Sequence, residues 1–110
     1  MKILDRAMLP DGVEIFLEDW SEHNSVDYPD TYGVEIGAYP VAKRNGKNGF
    51  VQEGKIFRLS IKENKSKNYS CDNVRADFEA LKNGTKKLED LSEYFFDREK
   101  AKWYLGMPTN

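Results

Sequence analysis

A chain of 110 residues, 39% hydrophobic and 13% aromatic, is the size of one domain with one ordinary core, and its 33% charged residues and net charge of −2 describe a polar surface on a folded chain. No apolar run approaches the roughly 18–20 residues of a membrane span, and the N-terminus MKILDRAML carries charge too early for a secretory leader, so a cytoplasmic location is expected. Cys71 is the single cysteine and His23 the single histidine, which excludes an intrachain disulfide and a structural zinc site.

Residues 2 to 9 and 13 to 20 flank Pro10-Asp11-Gly12, where proline pre-sets φ, aspartate caps the turn and glycine accepts a positive φ, so they are expected to form a β-hairpin. In the second run Val13, Ile15 and Leu17 alternate with Glu14, Phe16 and Glu18, the period of a strand with one buried face. A third strand is expected over Tyr32 to Val41, where Val34, Ile36 and Ala38 alternate with Glu35, Gly37 and Tyr39, and Pro40 marks an edge or the strand's end. After the Gly and Asn punctuation of residues 45–49 a fourth strand spans residues 55 to 62, with Phe57, Leu59 and Ile61 inward and Arg58, Ser60 and Lys62 outward. Glu63 to Ser70 reads as a polar, exposed link.

The apolar spacing then lengthens. From Asp72 to Asn83, Val74, Phe78 and Leu81 fall at i, i+4 and i+7, with Ser70 or Asp72 as N-cap and Gly84 just past the end, which predicts an α-helix. Thr85 is placed to cap a second helix carrying Leu88, Leu91 and Phe95, and Asp97 a third carrying Ala101, Tyr104 and Leu105 before Gly106 and Pro108. The alternative is one helix bent near Phe96-Asp97. Strands followed by helices mean α+β: one domain over residues 1–110, a four-stranded antiparallel β-meander packed on one face by two or three C-terminal helices.

The stretch DWSEHNSVDYPD, Asp19 to Asp30, holds the histidine among carboxylates. A facial iron triad needs a second histidine, and the spacing of Asp19, Ser21, His23, Asn24 and Asp30 does not match a calcium loop. The favoured reading is a solvated loop, with an acid, base or metal site on Asp19, Glu22 and His23 the least favoured function. Cys71 stands where a helix is expected to begin, a position that favours a reactive thiol, but no motif supplies a base or oxyanion site beside it. Asn45-Gly46-Lys47-Asn48-Gly49 lacks the spacing of a phosphate loop.

The net charge conceals a division along the chain. Residues 1 to 42 carry Lys2 and Arg6 against nine acids, −7; residues 43 to 67 carry eight bases against Glu53 and Glu63, +6; the remainder is −1. Lys43, Arg44, Lys47, Lys55, Lys65 and Lys67, with Phe50 nearby, make a candidate nucleic-acid contact. A pI near 5.5 and the lack of an RRM, helix-turn-helix or OB signature favour a simpler account, in which outward Glu14, Glu18 and Glu35 complement outward Arg58 and Lys62. Phe16 and Tyr39 share the face opposite the helices with Trp20 close by, and together with Arg58 they form the candidate protein interface.

The expected function is therefore a non-enzymatic interaction or accessory module of bacterial type, with no catalytic residues, cofactor, metal or membrane contact. A protein partner or self-association is expected, and nucleic-acid binding through residues 43–67 is the alternative.

Overall fold

The computed structural model describes residues 1–10, 12–40, 51–52, 55–56 and 59–95. The expected hairpin joins β1 (Lys2–Met8) to β2 (Val13–Asp19). Leu9 closes it from both sides, its N–H donating to the Val13 carbonyl at 2.8 Å and its carbonyl accepting from Gly12 N–H at 3.1 Å. Gly12 has φ +86°, the left-handed conformation that favours glycine; Asp11 lies outside the described residues.

β3 (Val34–Pro40) pairs antiparallel with β2 along its whole length, beginning two residues later than the pattern suggests because Tyr32 and Gly33 belong to the loop before it. The expected fourth strand divides. Lys55–Ile56, here β5, pairs with β4 (Val51–Gln52) as a separate small hairpin, and only β6 (Leu59–Lys62) joins the sheet beside β3. The sheet order β1-β2-β3-β6 is that of an antiparallel meander. Phe57 and Arg58 lie outside the described residues.

One inner face of this sheet is apolar throughout. Val13, Ile15, Ile36, Ala38, Leu59 and Ile61 are fully buried, and Leu17 and Val34 nearly so, which is the alternation read from the sequence. β1 is irregular: Ile3 stands opposite Glu18, but Asp5 stands opposite Leu17, so Leu4 is an extra residue in the ladder. The bulge turns Asp5 to the inner side, where its carboxylate meets Lys82 of α1 (Cys71–Asn83) at 2.8 Å. That hydrogen bond lowers the Asp5 pKa and raises that of Lys82.

Ser70, not Asp72, caps α1. Its hydroxyl accepts from Asn73 N–H at 3.3 Å while the Asn73 side chain accepts from Ser70 N–H at 2.9 Å. At the other end Gly84 takes φ +83°, Gly84 N–H bonds to the Leu81 carbonyl and Thr85 N–H to the Ala80 carbonyl, a Schellman closure. Val74, Phe78 and Leu81 are buried against β3 and β6. Phe78 alone contributes about 1.5–3 kcal/mol by leaving water.

The second expected helix differs. Residues Leu88–Tyr94 form a 3₁₀ helix capped at Lys87, and Thr85 completes α1 instead of opening a new element. Leu88, Leu91 and Tyr94 recur every three residues, the repeat at which 3₁₀ side chains eclipse, so this spacing stacks all three on one side. Leu88 and Leu91 are buried, and Phe95 bridges to Ile61 at the edge of β6. Residues 96–110, including the expected third helix from Asp97, lie outside the described residues.

The link Glu63–Ser70 is largely exposed, as expected, except at Tyr69. Tyr69 is buried, stacks on Tyr94 with ring centres 3.9 Å apart, and donates its hydroxyl to Asp77 at 2.8 Å. Asp77, itself buried, also receives Lys86 at 2.7 Å. A buried carboxylate is tolerable only with such partners, and this one fastens the chain before α1 and the chain after it to the helix. Burial and then the Asp77 carboxylate push the Tyr69 pKa well up, and the separate hydrogen bond from Lys86 to Asp77 raises the pKa of Lys86.

Candidate interaction face

On the outer face of the sheet, away from α1, Phe16 stands opposite Gly37 and Tyr39 opposite Glu14. The Phe16 and Tyr39 rings meet edge to face, 5.4 Å between centres. Trp20 follows Glu18 by two residues, so it returns to the same side just beyond the end of β2. Phe16, Trp20 and Tyr39, chosen from the sequence for their parity, are thus brought to one surface.

What joins them is a residue the sequence assigned to solvent. Glu18 is fully buried. Trp20 Nε1 donates to its Oε1 at 3.0 Å and the Tyr39 hydroxyl to its Oε2 at 3.2 Å. Gly37 makes room for both: a Cβ there would stand 2.6 Å from Glu18 Oε2 and 3.0 Å from Tyr39 Cε2. The carboxylate and the tyrosine ring therefore lie over a bare stretch of β3, and the outward, exposed Glu18 expected from the sequence is corrected to a buried one, while its expected pairing with Arg58 falls outside the described residues. Glu35 does stand opposite Lys62 in register, as that account requires. Shut away from solvent and accepting from the Trp20 indole and the Tyr39 hydroxyl, Glu18 positions both rings.

Around this set lie exposed apolar side chains. Ile3, opposite Glu18, is 43% exposed, and Met8, opposite Glu14, is 58% exposed; both belong to β1, which is an edge strand of the sheet. Arg6 stands between them opposite Phe16.

Asp19, Glu22 and His23 of the acidic stretch are engaged within the fold. Residues Ser21–His23 form a 3₁₀ turn, and Asp19 accepts from Ser21 N–H at 2.8 Å. Hydrogen bonding from Ser21 holds the Asp19 carboxyl below its usual range. Glu22 meets the N-terminal amine, and His23 Nε2 is 3.9 Å from Glu22 Oε1. The His23 ring packs between Trp20, 5.1 Å away, and Tyr32, 5.8 Å away. Among the described residues no group of three or more His, Cys, Asp or Glu side chains is arranged to hold a metal ion. Cys71, half-buried at the start of α1, has its sulfur 3.8 Å from Glu63 Oε2.

Of the basic candidates, Lys43, Arg44 and Lys47 lie outside the described residues, as does the interface candidate Arg58, and Lys55 is on β5. Lys65 and Lys67 are exposed in a 3₁₀ turn, but Lys67 donates to the Glu93 carbonyl at 3.1 Å and lies 5.9 Å over the Tyr94 ring. The sequence reading missed both buried carboxylates, Glu18 and Asp77. The one signal for Glu18 was its neighbourhood, with Trp20 two residues on and a glycine in the adjoining strand.

No helix among the described residues is long and apolar enough to cross a membrane. No protein-family model matches the chain, and comparison with curated proteins and with solved structures returns no significant match.

Proposed function

We propose that the chain is a non-enzymatic interaction module that binds a protein partner through the outer face of its sheet. The observation that carries this reading is the Glu18-centred arrangement: Trp20 and Tyr39 are hydrogen-bonded to one buried carboxylate beside Phe16, with Ile3 and Met8 exposed alongside. Aromatic anchors whose orientation is set before binding lose little conformational freedom when a partner arrives, and exposed apolar neighbours supply area to bury. An accessory role in a cytoplasm, where a lone cysteine stays reduced, accompanies this reading. Nucleic-acid binding through residues 43–67 is the weaker alternative; of its side chains Lys67 is already committed to Glu93.

A photoreactive phenylalanine at Met8, on the proposed face, and another at Glu79, on the exposed side of α1, test the reading in native cells. A discrete covalent adduct from position 8 that is missing from position 79, and lost on Phe16→Ala, supports it. Equal labelling at both positions, or none at position 8, overturns it.

A further inference from the structure

Among the described residues β1 is an edge of the sheet, so one row of its backbone groups faces away from β2. The hairpin fixes which residues own that row. Leu9 N–H donates to the Val13 carbonyl, and bonded and non-bonded pairs alternate along an antiparallel ladder, so Ala7 exchanges bonds with Ile15 while the amides and carbonyls of Arg6 and Met8 point outward. Such a row is a template for another strand.

One side chain obstructs it. Asp5 Oδ1 accepts from Arg6 N–H at 2.8 Å, which occupies an outward amide, and its Oδ2 accepts at 2.8 Å from Lys82 Nζ, 77 residues further along the chain. The helix therefore anchors the cap through a charge-assisted bond. The extra residue Leu4 interrupts the ladder on one side, and Pro10, which has no N–H, bounds it on the other. Arg6, Ala7 and Met8 lie between these limits.

The strand that fits this short stretch best is its own copy. A two-fold axis at Ala7 sets Arg6 of one chain against Met8 of the other, so that each outward amide meets a carbonyl and the small Ala7 side chains face each other at the axis. The arginine stem then covers Met8, which is 58% exposed in the single chain. An axis at Arg6 would instead place two guanidinium groups side by side.

We propose that Asp5, held by Lys82, bars the β1 edge from pairing with a second copy of the chain about a two-fold axis at Ala7, and that its release joins two chains edge to edge. The Arg6 amides that this pairing requires are occupied while the carboxylate is in place.

Sedimentation of the purified chain tests the idea without any other protein. Wild type should be a monomer at submillimolar concentration, and Asp5→Ala should show a saturable monomer–dimer equilibrium. Asp5→Asn retains an acceptor for Arg6 N–H and should stay monomeric, which separates the capped amide from the lost charge. The register is read by Ala7→Cys in a Cys71→Ser background, because residues facing each other in a non-bonded antiparallel pair are within disulfide reach. Mild oxidation should cross-link that protein several-fold faster when Asp5→Ala is added, whereas Lys2→Cys should show no such increase. Lys82→Gln loosens the carboxylate without touching β1 and should give a smaller dimer fraction, a readout that survives if Asp5→Ala melts below the assay temperature. Absence of a dimer in both Asp5→Ala and Lys82→Gln overturns the proposal, as does equal dimerisation of Asp5→Asn or cross-linking at Lys2 in place of Ala7. A wild-type chain that already cross-links through Ala7→Cys as fast as the Asp5→Ala variant overturns it too.

Discussion

The Tyr39 hydroxyl and the Glu18 carboxylate meet at 3.2 Å above Gly37, joining two strands on the face away from the helix through a group that is fully buried. Carboxylates at that depth are costly unless every partner stays in place, so the arrangement is sensitive to changes at any of its members. Gly37→Ala should destabilise the fold by about 1–3 kcal/mol, because the new methyl collides with the carboxylate and the ring. Glu18→Gln keeps the shape but replaces one acceptor by a donor that faces a donor, with a cost of about 1–3 kcal/mol. Urea unfolding measures both, and near-ultraviolet circular dichroism should show Trp20 and Tyr39 loosened in each. Wild-type stability in both variants would mean that the carboxylate does not organise this face.

Phe78 is the largest fully buried side chain on the helix, facing the sheet with Val74 and Leu81. Phe78→Ala should cost about 3–5 kcal/mol in chemical denaturation. A loss below about 1 kcal/mol would contradict the packing of α1 through this stripe.

Tyr69 gives the stability a pH dependence on the alkaline side. Its folded pKa is raised by burial and by Asp77, so its contribution is intact below the ordinary tyrosine value of about 10. Above that pH the unfolded chain loses the phenolic proton while the folded chain keeps it, and stability falls as pH rises. Tyr69→Phe should lower stability at neutral pH by about 0.5–1.5 kcal/mol and flatten the decline above pH 10 relative to wild type. Parallel curves for the two proteins would show that the hydroxyl is not held by Asp77 as the structure has it.

The basic segment offers a direct comparison with the alternative function. Association with mixed-sequence DNA or RNA is expected to be no tighter than the roughly 10⁻⁴ to 10⁻⁶ M of non-specific contacts at physiological salt. Sub-micromolar binding that disappears when Lys43, Arg44 and Lys47 are changed to glutamate would establish a nucleic-acid site instead.

Calcium, magnesium, zinc and manganese should leave the melting temperature unchanged, since Asp19 is engaged by Ser21 and Glu22 by the N-terminal amine. A saturable rise at micromolar metal, lost in His23→Ala, would place a ligand on the native state.

The sequence by itself determined the features that depend on near neighbours. The alternation through Val13–Leu17 and Val34–Ala38 selects the buried face because strand side chains point to opposite sides in turn, and Ser70 with Gly84 bounds α1 because capping groups lie within a few residues of the ends they serve. The same parity placed Phe16 and Tyr39 on one surface. Tertiary structure decided the rest. Glu18 reads as exposed because glutamate ordinarily is, and its burial depends on Trp20, Tyr39 and Gly37 converging from different parts of the sheet. Asp5 faces inward only through the bulge at Leu4, and Tyr69 leaves solvent only because Asp77 and Tyr94 are brought to it by the helix and the 3₁₀ turn. The polarity of a residue is local, but the partners that make its burial tolerable come from distant parts of the chain, and only the fold assembles them.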